Sequence, residues 1–539
     1  MKSLRFVCSF AAFLFAILVI VLVAAQSNPL ARVNQPSALH YQKLPAGVAP
    51  QQLASGAQKS PLKFAKPVSY LLGGMIPRSV AVADLNGDGK PDLVVATEIE
   101  GAAAVLLGNG DGTFGQAVYY PTAGFYAESV AIADVNGDGK LDLVVATKCQ
   151  TKNTCTGFLD PGGVSVLLGN GDGTFQAAVG YNSGGLAASS VAIADVNGDG
   201  IPDLIVTNPC SSVDPNGNCT SQGVVSILVG NGDGTFQTAV SYSSGGLGVI
   251  SVAVADVNGD GIRDLAVVND GSDSVGVLLG NGDGTFKSAV SFTASSDGYD
   301  PLSVAVADVN GDGKPDLVVT INNGLNHHGA VSILLGNGDG AFQAPVSYDS
   351  GGKGAFSLAV ADVNGDGTPD LVVSIGLHYQ GAVSILPGNG DGTFQAAVRY
   401  PSAGIIPGYL AVADVNTDGR PDLLVANKCT NRGCSIASVR LNSLMVNTTT
   451  KVKSSPDPSH VSQSVTFTAT ISSNSSVPNS SVVTFYNGAM QIGTGETTDG
   501  VATFTTSFST AGTYNIKASY PGDAFHKASS GIVKQVVNP

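Results

Sequence analysis

Seven times this chain writes Asp-x-Asn-x-Asp-Gly-x-x-Asp, and few folds can accommodate such a repeat. The copies place oxygen-bearing side chains at Asp84, Asn86, Asp88, Asp92; Asp134, Asn136, Asp138, Asp142; Asp195, Asn197, Asp199, Asp203; Asp256, Asn258, Asp260, Asp264; Asp308, Asn310, Asp312, Asp316; Asp362, Asn364, Asp366, Asp370; and Asp414, Asn416, Asp418, Asp422. This spacing suits a cage for a hard cation. Side chains at positions 1, 3 and 5 turn inward, glycine at position 6 permits the sharp turn, and position 7 offers its carbonyl. In an EF-hand a bidentate acid follows at position 12; here the aspartate at position 9 can close the cage. The all-oxygen donor set suits Ca²⁺, up to seven ions, and fits zinc poorly. One such loop alone could be an Asx-rich turn; seven copies favour metal.

The copies recur every fifty to sixty residues, roughly the period of a propeller or an array. In one unit Ser251–Ala255 leads into the Asp256 loop and Asp264–Val268 leads out. Ser274–Leu279, the turn Gly280-Asn281-Gly282-Asp283-Gly284 and Thr285–Phe292 follow. That is four short strands per unit, bounded by Asn-Gly turn signals. Continuous apolar runs suit strands covered on both faces. The Asn-Gly-Asp-Gly turns could hold further cations, but a hairpin turn needs those same residues.

The Gly-Asn-Gly-Asp-Gly-x-Phe turn occurs six times, not seven, and is absent after the last cage. Instead Phe64-Ala65-Lys66-Pro67-Val68-Ser69-Tyr70, ahead of the first cage, matches Phe342-Gln343-Ala344-Pro345-Val346-Ser347-Tyr348. A circular propeller would take this segment as the outer strand of its last blade, leaving no open end. An open solenoid would not explain the displaced strand.

With these motifs residues 61–443 resemble the FG-GAP/VCBS repeats, the blades of integrin α-subunit heads and of many bacterial surface proteins. The resemblance implies an all-β fold, a seven-bladed β-propeller with calcium between strands 1 and 2 of each blade. Thr417 departs from the pattern where the other copies have glycine. No integrin-like legs follow, so integrin signalling does not carry over.

Lys2 and Arg5 border an apolar run from Phe6 to Ala25. Residues 1–25 read as a secretory signal peptide, with retention as a membrane anchor the alternative. Residues 26–60, rich in Gln, Ala, Ser and Pro, read as a flexible spacer. Six further cysteines pair closely, Cys149 with Cys155, Cys210 with Cys219 and Cys429 with Cys434, the first of each seven residues after a cage's last aspartate. Local disulfides in an oxidising compartment are expected, with zinc the weaker alternative. The formal net charge is −15, and three aspartates per cage supply about half of the 41 acidic residues. Seven divalent ions would bring the chain close to neutrality. With no basic patch, no nucleic-acid partner is expected.

Residues 447–539 shift to Ser, Thr and Val, with alternating segments at 465–471, 482–486, 502–505 and 514–520. They resemble bacterial Ig-like repeats, which implies a β-sandwich serving as a spacer or a binding module.

The six histidines, His40, His327, His328, His378, His460 and His526, fall in no nucleophile or metal motif, so a non-catalytic protein is expected. In a four-stranded antiparallel blade, loops 1–2 and 3–4 share one face, and loops 2–3 and the blade connections share the other. The variable face gathers Phe125, Tyr126, Tyr299, Asp300, His327, His328, His378 and Tyr379. Variable loops on a rigid scaffold favour recognition. The expectation is an exported adhesion or interaction protein whose partner is an extracellular protein or glycan. The alternatives are a calcium-dependent polysaccharide lyase or lectin, and a structural envelope protein.

Overall fold

The computed structural model describes residues 62–539 apart from 73–75, 99–100, 152–154, 156–159, 214–218, 220, 297, 325–327, 378–379, 429–434, 443–446, 474–476, 478–479 and 523–525. The expected signal peptide, the whole of the expected spacer, His40, His327, His378, Tyr379, Cys429 and Cys434 lie outside the described residues. No helix among those described is long and apolar enough to cross a membrane.

Each cage loop joins two antiparallel strands of a four-stranded sheet, and seven such sheets follow one another along the chain. Their first strands are Pro77–Ala83, Phe125–Ala133, Ser190–Ala194, Val249–Ala255, Gly298–Ala307, Gly354–Ala361 and Ile406–Ala413. Each packs against the first strand of the next sheet, and the seventh returns to the first, so the sheets close into a seven-bladed propeller.

The apolar runs are explained by packing. In the second strand of blade 1, Leu93 and Val95 join a core shared with blade 7, whereas Val94 and Ala96 join one shared with blade 2. Alternate side chains point to opposite faces of a strand, so a strand between two neighbours is apolar at every position. Each of the seven interfaces holds its own such cluster.

The ring closes through the displaced strand. Val68–Leu71 pairs antiparallel with Ser435–Arg440 as the outer strand of blade 7. Phe64 bridges Asn442, and the Ala65 amide donates to the Leu441 carbonyl at 2.8 Å. Arg440 clasps the segment: Nη1 donates to Ala65 O and Nε to Pro401 O, at 2.6 and 2.8 Å.

The phenylalanine after each turn is an inter-blade contact. An outer-strand aromatic of one blade meets it edge-on in the next: Tyr70 on Phe114, Tyr120 on Phe175, Tyr181 on Phe236, Tyr242 on Phe286, Phe292 on Phe342 and Tyr348 on Phe394. Phe64 supplies the seventh, on Tyr400, with centroids 5.0 Å apart. Such edge-to-face pairs contribute about 1 kcal/mol each beyond area burial.

The C-terminal domain is a sandwich of a three-stranded and a five-stranded sheet. The four alternating segments form strands, here Ser464–Ser472, Val482–Asn487, Val501–Ser507 and Gly512–Tyr520. Phe467, Phe485, Ile516 and Tyr520 centre its core. Thr449–Ser455, Met490–Glu496 and Ser529–Asn538 are further strands. The sequence reading missed these edge or half-exposed strands because they lack a clean apolar alternation.

Candidate functional site

The cages form one face. In the first, the Asp84 carboxylate accepts the Asp88 and Gly89 amides at 3.1 and 2.7 Å, Asn86 Oδ1 accepts the Asp88 amide at 3.0 Å, and Asp88 Oδ1 accepts the Lys90 amide at 3.0 Å. Glycines at positions 4 and 6 take φ of +71° and +80°, the left-handed backbone that lets the loop double back on its own carboxylates. The same pattern recurs in every copy, though Thr417 takes φ +56° at position 4 of the seventh.

Position 9 has a further task. Asp92, Asp142, Asp203, Asp264, Asp316, Asp370 and Asp422 are fully buried. One oxygen of each accepts the amide at position 2 of its cage, at 2.9–3.1 Å. The other accepts the first amide of the turn between strands 3 and 4, at 2.7–2.9 Å. In blade 7, which lacks that turn, Asn442 supplies the second donor. The position-9 carboxylate therefore staples cage to turn, and a cation would use its remaining lone pairs. Among the described residues no cage brings three carboxylates to within 4.8 Å of one another; the group that lies that close is Cys149, Cys155 and Asp160, whose two sulfurs are joined in a disulfide.

Burial, aided by the neighbouring cage carboxylates, raises the pKa of the position-9 groups and pushes Asp370 and Asp422 up to about 7. The cations that reach a cage pair with its position-5 aspartate (Lys90 with Asp88, Lys140 with Asp138, Arg420 with Asp418), not with the position-9 carboxylate. The all-oxygen donors, the clustered negative charge and the doubled-back loops fit Ca²⁺. Asp84, Asn86, Asp88 and Asp92, with the carbonyl of Lys90, would hold it in the first blade, and their equivalents in the others.

Cages also touch the neighbouring blade. A Cβ placed on Gly173 would meet Asn86 of the preceding cage, and one on Gly234 would meet Asn136. The Gly284 and Gly392 amides donate to Val196 O and Val309 O at 3.2 Å. The Asn-Gly-Asp-Gly segments are turns: Asp111 Oδ1 accepts the amide and hydroxyl of Thr113, which lowers its pKa.

The opposite face is irregular. Disulfides join Cys149 to Cys155 and Cys210 to Cys219. Five non-glycine propeller residues described there adopt positive φ: Tyr126, Ala187, Asp273, Asp300 and Ala403. Tyr299 is 64% exposed, His328 is exposed, and Phe125 and Tyr126 are half-buried against each other. The Asp300 amide donates to Asp273 Oδ1 at 3.1 Å. Burial, then Asp300 and Asp273, push Asp270 up to about 7.

One cluster escaped the sequence reading. Arg78 and Glu128 occupy bulges in the first strands of blades 1 and 2. Arg78 Nη2 lies 2.9 Å from Glu98 Oε2, and Lys148 Nζ 2.9 Å from Glu128 Oε1. Burial opposes the Arg78 charge, but Glu128 and Glu98 outweigh it and raise its pKa. The equivalent bulge of blade 4 carries Ile250, which packs on the blade 7–blade 1 core from across the ring. A bulge re-aims one side chain, here toward the axis. The signal was the sixth residue before each cage, charged in blades 1 and 2 and uncharged elsewhere.

FG-GAP-like repeat models match residues 84–145, 156–206, 218–267, 256–319 and 321–373, and an FG-GAP repeat matches 187–228. The chain is an FG-GAP repeat protein. Residues 452–538 match the bacterial Ig-like domain, group 3. No curated protein matches it. Among solved structures it is similar to the periplasmic gluconolactonase of Pseudomonas aeruginosa at 18% identity and a TM-score of 0.41, over 65% of this chain and 96% of that one.

Proposed function

We propose that this FG-GAP repeat protein is an exported, non-catalytic, calcium-binding interaction protein. Cations in the cages would neutralise the clustered carboxylates and stiffen the joints between blades, because each cage is stapled to its own blade's third-to-fourth-strand region and the cages lie beside the next blade. Recognition of an extracellular protein or glycan would fall to the opposite face. The distribution of backbone strain carries this reading. Apart from Thr417, the positive-φ non-glycine residues described in the propeller lie on that face, and Tyr126 is a bulky aromatic among them. Such conformations cost on the order of 1–3 kcal/mol each and cluster at binding sites. Tyr299 stands exposed beside this strained backbone. The two disulfides suit an oxidising compartment.

The test is a glycan and protein array probed with the full chain, in calcium and in chelator. A partner whose binding is lost on Tyr299→Ala in fully folded protein supports the reading. Turnover of an arrayed polysaccharide, or binding lost with Asp260→Ala in fully folded protein, would move the site to the cage face and favour a calcium-dependent lyase or lectin.

A further inference from the structure

The residue at cage position 7 contributes only its carbonyl to an oxygen cage, so its side chain varies: Lys90, Lys140, Ile201, Ile262, Lys314, Thr368 and Arg420. In blades 1 to 6 that side chain lies along the second glycine of its own blade's Gly-Asn-Gly-Asp-Gly turn. A Cβ on Gly110, Gly171, Gly232, Gly282, Gly338 or Gly390 would meet Lys90, Lys140, Ile201, Ile262, Lys314 or Thr368 at 2.9–3.2 Å. Blade 7 has no such turn, because its outer strand comes from the N-terminal segment.

Arg420 folds back onto its own cage instead. Nε and Nη2 approach Asp418 Oδ2 at 3.1 and 2.5 Å, and the two side chains are only 14% and 17% exposed. Asn416 Nδ2 donates to the same oxygen at 3.0 Å, and the Arg420 amide donates to Asp418 Oδ1 at 2.9 Å. Asn197 and Asn258 make the equivalent amide contact in cages 3 and 4, so that contact alone does not set the seventh cage apart. The guanidinium does. Lys90 and Lys140 reach their position-5 aspartates through one contact each, at 3.2 and 3.5 Å, with side chains 44% and 45% exposed.

Resting on the calcium reading above, we infer that the seventh cage is closed by its own arginine, so that the protein binds six calcium ions readily and the seventh only after Arg420 is displaced. Two guanidinium N–H groups converging on one half-buried carboxylate oxygen make a charge-assisted contact held by two donors, whereas an exposed lysine is a loosely held point charge. The cation in cage 7 is thus part of the chain. It serves the blade whose outer strand is borrowed, and holds that loop together until calcium is high enough to displace it.

Calcium bound per full-length chain is counted by native mass spectrometry across a calcium titration, for wild type, Arg420→Ile (the residue type of cages 3 and 4) and Arg420→Lys. Wild type is expected to fill six sites and to take a seventh at calcium about tenfold higher. Arg420→Ile should fill seven in one range, with Arg420→Lys between. Seven equivalent ions on wild type, or an unchanged count in Arg420→Ile, would overturn the inference and leave the calcium reading intact. No bound calcium in any variant would remove the calcium reading, and melting in chelator then decides for Arg420. A lower melting temperature of Arg420→Ile than of wild type supports the arginine as the cage's own cation. Equal melting temperatures overturn it.

Discussion

The two faces of the propeller are built by opposite rules from the same strands. On the cage face every blade repeats one loop, with left-handed positions filled by glycine except at Thr417 and a buried aspartate tying each loop to the next hairpin or its substitute. On the other face, loops differ in length, carry two disulfides, and place Tyr126, Ala187, Asp273, Asp300 and Ala403 at strained φ. A side chain that recurs at one depth in seven blades holds the ring. One that occurs once, exposed or strained, is available for recognition.

The comparison presupposes a closed ring, and deleting residues 61–72 attacks it most severely. Loss of the outer strand of blade 7 exposes Ser435–Arg440 as an edge and strands Tyr400 and Arg440 without Phe64 and Ala65. The truncated protein should elute as oligomers or precipitate on size-exclusion chromatography, while deletion of 26–58 leaves a monomer of unchanged melting temperature. A stable monomeric truncation would break the comparison at its base.

Single cage substitutions should separate position 9 from position 5. Asp264→Ala orphans the buried Val257 and Gly280 amides, each unpaired group costing roughly 1–3 kcal/mol. Asp260→Ala removes a more exposed carboxylate and should cost about 1 kcal/mol in chelator and more in calcium. Denaturant titration in both buffers reads the difference. Equal losses for the two would mean that the staple adds nothing.

The pKa shifts fix a pH signature. Asp370 and Asp422 stand at about 7 in the folded chain against an ordinary value of 3.8, so without metal the fold prefers them protonated. That preference is fully present below pH about 4 and is lost as pH rises through about 7. In chelator, the melting temperature should therefore rise between pH 8 and pH 5. Calcium prefers the ionised form and should flatten or reverse the trend. Asp270, on the opposite face, adds a calcium-independent part of the same sign.

The smallest effect on stability belongs to the recognition face. Tyr299→Ala and His328→Ala should shift stability by less than ~0.5 kcal/mol, as exposed loop changes do. Tyr299→Ala should nevertheless abolish capture of whichever array partner the wild type binds.

The blade count, the cages and the borrowed strand could all be read from sequence, because each is a local pattern repeated at fixed spacing. The T-shaped role of each turn's phenylalanine could not, since its partner lies about fifty residues away in the preceding blade. Nor could the staple: position 9 reads as a ligand until strand pairing brings the Gly108 amide over Asp92. Arg78, Glu98, Glu128 and Lys148 are scattered in sequence and meet only because two bulges aim toward one axis. In the sandwich, strands such as Met490–Glu496 bury too little for alternation to show.

The central claim is that the cage face is held by ions, and thermal unfolding of the full chain in millimolar calcium and then in excess EGTA, at neutral pH, tests it most directly. Binding to the folded state alone stabilises by mass action, and several occupied sites add. The melting temperature should fall by several degrees or more in EGTA and recover when calcium is restored. An identical melting curve in the two buffers would contradict the claim.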